Sequence, residues 1–318
     1  MEGTFSNTSF ERGFGIFQKI ADKQFDVVNN NCLRLFMLNT ENKKFNYDEL
    51  YEYLLPNIAR YVFDRRKIAE VSQDTQRMYT ILSEAVAHLR EIAENEDKGA
   101  GGELGEILLY LFLEQDLKAP KLFSKVELKT SGQDYVKGSD GIHFKFRTND
   151  AGNKILQLVV GEAKIQNDLD AGIKSAFASI HTYLTENVQD RNLLDTHLAA
   201  QLVSEDEAAE IKKYILEVPR KKKETIFGIF IGYSTTYKGE TDDNDAYDIN
   251  IASENTNQVL AKLDTIIGQI NHYGISNYQF NFYFLPFHDA FNDRKNIMKQ
   301  IKGQNLHFSI GKGAANHE

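Results

Sequence analysis

Asp140, Glu162 and Lys164 are the residues of this sequence whose types and spacing could do chemistry together. Asp140 opens the apolar run DGIHFKFR, and Glu162 and Lys164 close the run KILQLVVGEAK. Side chains alternate along a strand, so Leu156, Leu158, Val160, Glu162 and Lys164 share one face of the second run. Asp140, Ile142, Phe144 and Phe146 share one face of the first. The turn chemistry of NDAGN (149–153) predicts a hairpin between them. Centred on Ala151, that hairpin sets Phe146 against Leu156, Phe144 against Leu158 and Ile142 against Val160. It also sets Asp140 against Glu162.

Directly opposed Cβ atoms lie roughly 4.5–5.5 Å apart, and like charges there repel. Lys164 offsets part of that repulsion. A divalent cation offsets more: Mg2+, or Mn2+, takes one or two carboxylates together with waters and phosphate oxygens. Such a site activates water and stabilises a phosphoryl transition state, with the lysine orienting the water or neutralising charge. E-x-K alone occurs by chance in many sequences. A solvated strand end with a Glu–Lys pair, and an ordinary S-D-G turn at Asp140, stand as the plain alternative.

A third carboxylate comes from the run GELGEILLYLFLEQ (102–115), which predicts a helix just before the strands. Glu103 and Glu106, three apart, fall on one face of it. Acids in a first helical turn also complement the helix dipole, and that reading suits Glu103. Glu106 sits deeper, among Leu104, Ile107 and Leu108, and is the candidate for the site.

The elements that must position these groups are legible. A strand pair or bulged strand is expected over 25–38, and a helix over 46–63 with Asn46 as its cap. A longer helix is expected over about 74–96, with Met78, Ile81, Leu82, Ala85 and Leu89 on one face. DKGAGG (97–102) breaks the pattern and marks a boundary between residues 1–97 and 98–318. Beyond it come the helix 102–115, a strand near LFSKVELKT, the two charged strands, and a helix over 171–187. Ile173, Phe177, Ile180 and Leu184 form the stripe of that helix. A polar helical insertion is expected at about 190–217. A buried strand TIFGIFIGYS (225–234), a helix over 253–274, a strand YQFNFYFLPF and a last helix from Asp289 follow. This order predicts an α/β (α+β) fold, a central mixed sheet with helices on both faces.

Composition narrows the function. At 318 residues and 42% hydrophobic content the chain can bury a core, and no apolar run is long enough to span a bilayer. The N-terminus lacks the pattern of a signal peptide. Cys32 is the single cysteine, expected as a small core residue, and a reducing cytoplasm is the expected compartment. The formal charge of −9 speaks against an autonomous binder of nucleic acid, the run Arg220–Lys223 excepted. That run reads as a solvated turn before a strand. The eight histidines show no zinc-binding spacing, and GAGGELGE lacks the lysine of a phosphate loop. His143 falls on the face opposite Asp140, and His181 reads as a packing residue. Lys174 and Ser175 read as a solvated helix face.

Helix acid, Asp140 in G-S-D-G and Glu162-Ala163-Lys164 in V-V-G-E-A-K together resemble the PD-(D/E)xK nuclease superfamily. The leading proline of that motif is absent. The resemblance implies a restriction-endonuclease-like core. It also implies that Glu106, Asp140 and Glu162 bind Mg2+ while Lys164 assists the attacking water. More closely, GELGEILLYLFLEQ, KTSGQDYVKGSDGIHF and LVVGEAKIQNDLDAGIKSAFASIHTYL resemble the HamA family, the nuclease subunit of Hachiman anti-phage defence, over about residues 95–290. This implies a bacterial effector that cuts DNA and is restrained by a HamB-like superfamily 2 helicase. Residues 98–318 would then form the nuclease-like domain, and 1–97 an α/β region suited to partner docking. A nuclease fold that docks a helicase or nucleic acid without cutting is the alternative.

Overall fold

A computed structural model of the chain describes residues 14–25, 30–71, 74–95, 102–124, 139–149, 151–152, 154–186 and 223–303. The expected insertion at 190–217 and most of the basic run at 220–223 lie outside these residues. So do most of the expected boundary at 97–102 and the later part of LFSKVELKT.

A seven-stranded sheet organises the molecule. Its strands are β1 (Phe17–Phe25), β2 (Asn31–Leu38), β5 (Lys121–Ser124), β6 (Gly141–Thr148), β7 (Lys154–Ile165), β8 (Lys223–Ser234) and β9 (Gln279–Phe287). Their spatial order is β1-β2-β9-β8-β7-β6-β5. The central pairs β2/β9, β9/β8 and β8/β7 are parallel, and the outer pairs are antiparallel. This is the mixed sheet the sequence predicts. β8 and β9 lie inside it, which explains why both of their faces are apolar. A small pair, β3 (Thr40–Glu41) and β4 (Lys44–Phe45), stands apart.

The helices are α1 (Tyr47–Val62), α2 (Arg65–Val71), α3 (Thr75–Asn95), α4 (Gly102–Gln115), α5 (Leu169–Glu186), α6 (Asn244–Leu260), α7 (Leu263–His272) and α8 (Ala290–Gly303). Asn46 caps α1 as expected, its side chain accepting from the Glu49 N–H at 2.9 Å. The helix expected over 253–274 is instead two. α6 begins earlier, capped by Asp243, and the chain turns at Ala261 and Lys262 before α7. No glycine or proline marks that break, so the apolar pattern runs through it unseen.

Two apolar clusters sandwich the sheet. α1, α3, α4 and α8 pack on one face around Phe36, Phe112, Phe230 and Tyr283. α5 and α7 pack on the other around Phe177, Phe227, Phe280 and Phe282. The sequence expected strand character in 25–38 but not the strand β1, nor that β2 joins β9 in the central sheet. Phe17 of β1 contacts Phe112 of α4 at 5.0 Å between ring centroids, so the first strands share this core. Cys32 is buried, and its thiol donates to Asp22 at 3.2 Å. Burial, the larger cause, pushes that thiol up to about 11, which leaves it unreactive at neutral pH.

Candidate active site

Hairpin β6–β7 has the register that its apolar faces dictate. Phe146 pairs with Leu156, Phe144 with Leu158, Ile142 with Val160 and Gly141 with Gly161. Asn149 turns the chain: its carbonyl accepts from the Gly152 N–H at 2.9 Å, and Gly152 sits at φ 76°, where a side chain would be strained. The paired ladder ends at Gly141. β7 continues beside β8 for four more residues, leaving its edge toward β6 open. Asp140 closes part of that edge. Its N–H donates to the Gly161 carbonyl at 2.9 Å, and its Oδ2 accepts from the Ala163 N–H at 2.8 Å.

Asp140 stands at the register position opposite Glu162, one step beyond the Gly141–Gly161 pair, and one oxygen of its carboxylate is taken up by the Ala163 N–H. The carboxylate lies along the sheet edge, because an otherwise open backbone N–H draws it there. Glu162 keeps the parity of Leu156 and Val160. It points to the α5 side, where its carboxylate has a side-chain hydrogen bond from Ser179. It is only 3% exposed and forms an ion pair with Lys164, Nζ to Oε1 2.5 Å.

α4 crosses the other face of β7. Gly105 makes the crossing close: a Cβ there would stand 3.3 Å from the Ala163 Cβ. Gly161 does the same one step back, where a Cβ would meet Leu109 Cδ2 at 2.8 Å. The close approach carries Glu106 to the end of β7. Tyr61 of α1 fixes it, the hydroxyl donating to Glu106 Oε2 at 2.8 Å. Glu103 is buried and paired with Lys302 of α8 at 2.7 Å.

Glu106, Asp140, Ala163, Lys164 and Ile165 line one cavity of about 530 Å³, together with Gly102, Gln166, Asn167, Phe291 and Arg294. It opens beyond the C-terminal end of β7, where open parallel sheets place their ligand crevices. The structure therefore brings Glu106, Asp140 and Lys164 to a common space, with Glu162 sealed behind Lys164. Asn167, Phe291 and Arg294 were not foreseen. Asn167 directly follows the E-A-K strand, and its Oδ1 accepts the Phe291 N–H at 2.8 Å, pinning α8 to the cavity. Arg294 donates to the Ile165 carbonyl at 2.8 Å. Phe291 and Arg294 lie more than a hundred residues from Lys164, and no local pattern announces them. His143 is buried against the Ala119 carbonyl, and His181 stacks on Tyr273, both as packing residues.

The electrostatics centre on Glu162. Burial first, and the Asp140 charge second, push its carboxyl up to about 8, with Lys164 and Ser179 opposing. Among the described residues, no group of three or more His, Cys, Asp or Glu side chains gathers closely enough to hold a metal ion. Asp140 and Glu162, with Glu106 facing the cavity, are the carboxylates that could hold a divalent cation there, completed by water or phosphate oxygens.

A family model for HamA matches residues 15–301, nearly the whole chain. The chain belongs to the HamA family. It is therefore related to a component of Hachiman defence. The match begins just before the first strand of the sheet and ends in α8, so the N-terminal strands belong to the family's own pattern. Among curated proteins no match was found. No helix among the described residues is long and apolar enough to cross a membrane.

Proposed function

We propose that this chain is a Mg2+-dependent deoxyribonuclease, the effector of a Hachiman system, which hydrolyses phosphodiester bonds under the control of a helicase partner. One observation carries the reading: Asp140, Glu106 and Lys164 line one cavity at the end of β7, with Glu162 buried behind them and paired with Lys164. Membership of the HamA family supports it.

Asp140 and Glu162 would hold the cation, with Glu106 facing the same space. When bound, the ion supplies charge neutralisation at the phosphate and acidifies water. The protein's own groups do the rest. Asp140 is held rigid by the Ala163 N–H, so its other oxygen keeps a fixed aim. Lys164 now balances Glu162; once that carboxylate is neutralised otherwise, its ammonium can turn to the attacking water or the phosphate. The sheet edge supplies rigidity.

A second reading, a nuclease fold that docks a helicase without cutting, is favoured by the tight Glu162–Lys164 pair and by the absence of a three-acid cluster among the described residues. Incubating plasmid with the purified chain and Mg2+, alone and with the helicase of its own system, separates the two. The nuclease reading expects Mg2+-dependent cutting that disappears in Lys164→Ala and Asp140→Asn while the fold persists. Cutting unchanged in both variants would discard this site; no cutting under any condition would leave the docking role.

A further inference from the structure

Phe291 is one of only three large hydrophobic side chains exposed among the described residues, and the only one of them that lines the cavity. It is 43% exposed on the first turn of α8. Two cations attend it: the Arg294 guanidinium lies 5.0 Å and the Lys295 ammonium 3.8 Å from the ring centroid. The ring is held in place, because Asn167 from the end of β7 accepts the Phe291 N–H. Arg294 is anchored too, through Nη1 on the Ile165 carbonyl, with its Nε buried, while the side chain as a whole is half-buried at the cavity.

An exposed aromatic ring between cations, beside a cavity of carboxylates and a lysine, matches the way proteins grip single strands. Cations follow the backbone and an aromatic face takes a base. Every base has such a face, but only an unpaired one can offer it. We propose that Phe291 and Arg294 form a strand platform at the mouth of the cavity. Phe291 stacks on an unpaired base of DNA next to the scissile phosphate, and Arg294 contacts the adjoining phosphate. The substrate entering the site is therefore single-stranded there. This deepens the nuclease reading and rests on it for the identity of the strand as DNA. The Lys295 ammonium covers the ring in the free protein. Base stacking outweighs an exposed cation–π contact, so an arriving base displaces it.

The test uses the full chain carrying Lys164→Ala, in Mg2+, with binding read by fluorescence anisotropy of a labelled oligothymidine strand and a blunt duplex of equal length. The expected result is tighter binding of the strand. Adding Phe291→Ala should weaken strand binding about tenfold and leave the duplex unchanged, and Phe291→Trp should retain strand binding. Arg294→Gln should weaken strand binding and flatten its dependence on salt. Phe291→Ala has an exposed side chain to lose, and an unchanged melting temperature confirms its fold. Equal affinity for strand and duplex, no binding of either, or strand binding indifferent to Phe291 would overturn the platform. Cutting is read separately on protein that retains Lys164. Phe291-dependent binding without any cutting sinks the nuclease reading alone; cutting without dependence on Phe291 sinks the platform alone.

Discussion

Replacing Glu162 by glutamine should stabilise the metal-free protein at alkaline pH while removing a group the proposed chemistry needs. The carboxyl is raised from an ordinary value of 4.5 to about 8. A raised acid binds its proton more tightly in the folded than in the unfolded chain. Its contribution to stability is therefore intact below about pH 4.5 and is lost as pH rises through about 8. Every tenfold gain in proton affinity corresponds to about 1.4 kcal/mol, so ionising Glu162 in the fold costs about 4 kcal/mol by pH 8 and under about 1 kcal/mol at pH 5. Glutamine carries no charge to bury, though its amide fits the Lys164 and Ser179 partners less well. The expected net gain is about 2–3 kcal/mol at pH 8, a rise of several degrees in melting temperature, shrinking towards zero at pH 5. Differential scanning fluorimetry with EDTA at both pH values measures it. Mg2+ should then stabilise the wild-type chain more than Glu162→Gln, and more at pH 8 than at pH 5. If Glu162→Gln melts below wild type at pH 8, or shows the same offset at both pH values, the buried-acid argument is wrong.

Gly161→Ala should destabilise by about 1–3 kcal/mol, because its Cβ would press on Leu109 at 2.8 Å and on the Gly141 carbonyl at 3.1 Å; urea denaturation reads this. Tyr61→Phe should keep the fold, since only the hydroxyl that donates to Glu106 is lost. If Glu106 serves the cation, the Mg2+ dependence of cutting should shift in that variant, and an unchanged titration would remove Glu106 from the site. Lys121 sends its buried ammonium to the carbonyls of Arg60, Tyr61 and Phe63 at 2.9–3.0 Å, closing the end of α1. Lys121→Met should cost about 2–4 kcal/mol by leaving those acceptors unpaired, with melting temperature as the readout.

The charged hairpin was readable from local rules because period-two alternation and a five-residue turn leave little freedom of register. A slip of one residue would expose Ile142, Phe144, Leu156 and Val160 together. The candidate residues Asp140, Glu162 and Lys164 follow from that register alone. Glu106 followed from helical spacing and from the helix preceding the strands, but its partner Tyr61 did not. The break between α6 and α7 was missed because both segments keep apolar residues at helical spacing through Ala261 and Lys262. The strand β1 was missed because its exposed face reads as polar loop: Gln18, Lys19, Lys23 and Gln24 are exposed at one edge of the sheet.

By itself the sequence determined what is local: the strands and register of the charged hairpin, the apolar faces of most helices, and where Glu162 and Lys164 stand along β7. Only tertiary structure decided what depends on neighbours distant in the chain. Asp140 is held at the sheet edge because β6 stops before β7 does and the Ala163 N–H claims one oxygen of its carboxylate. Glu162 became a raised acid because α5 seals it from water. Phe291 and Arg294 reached the cavity because Asn167 and Ile165 anchor α8 there. Periodicity reports how a residue faces its own element; burial, field and proximity are set by the elements that pack against it.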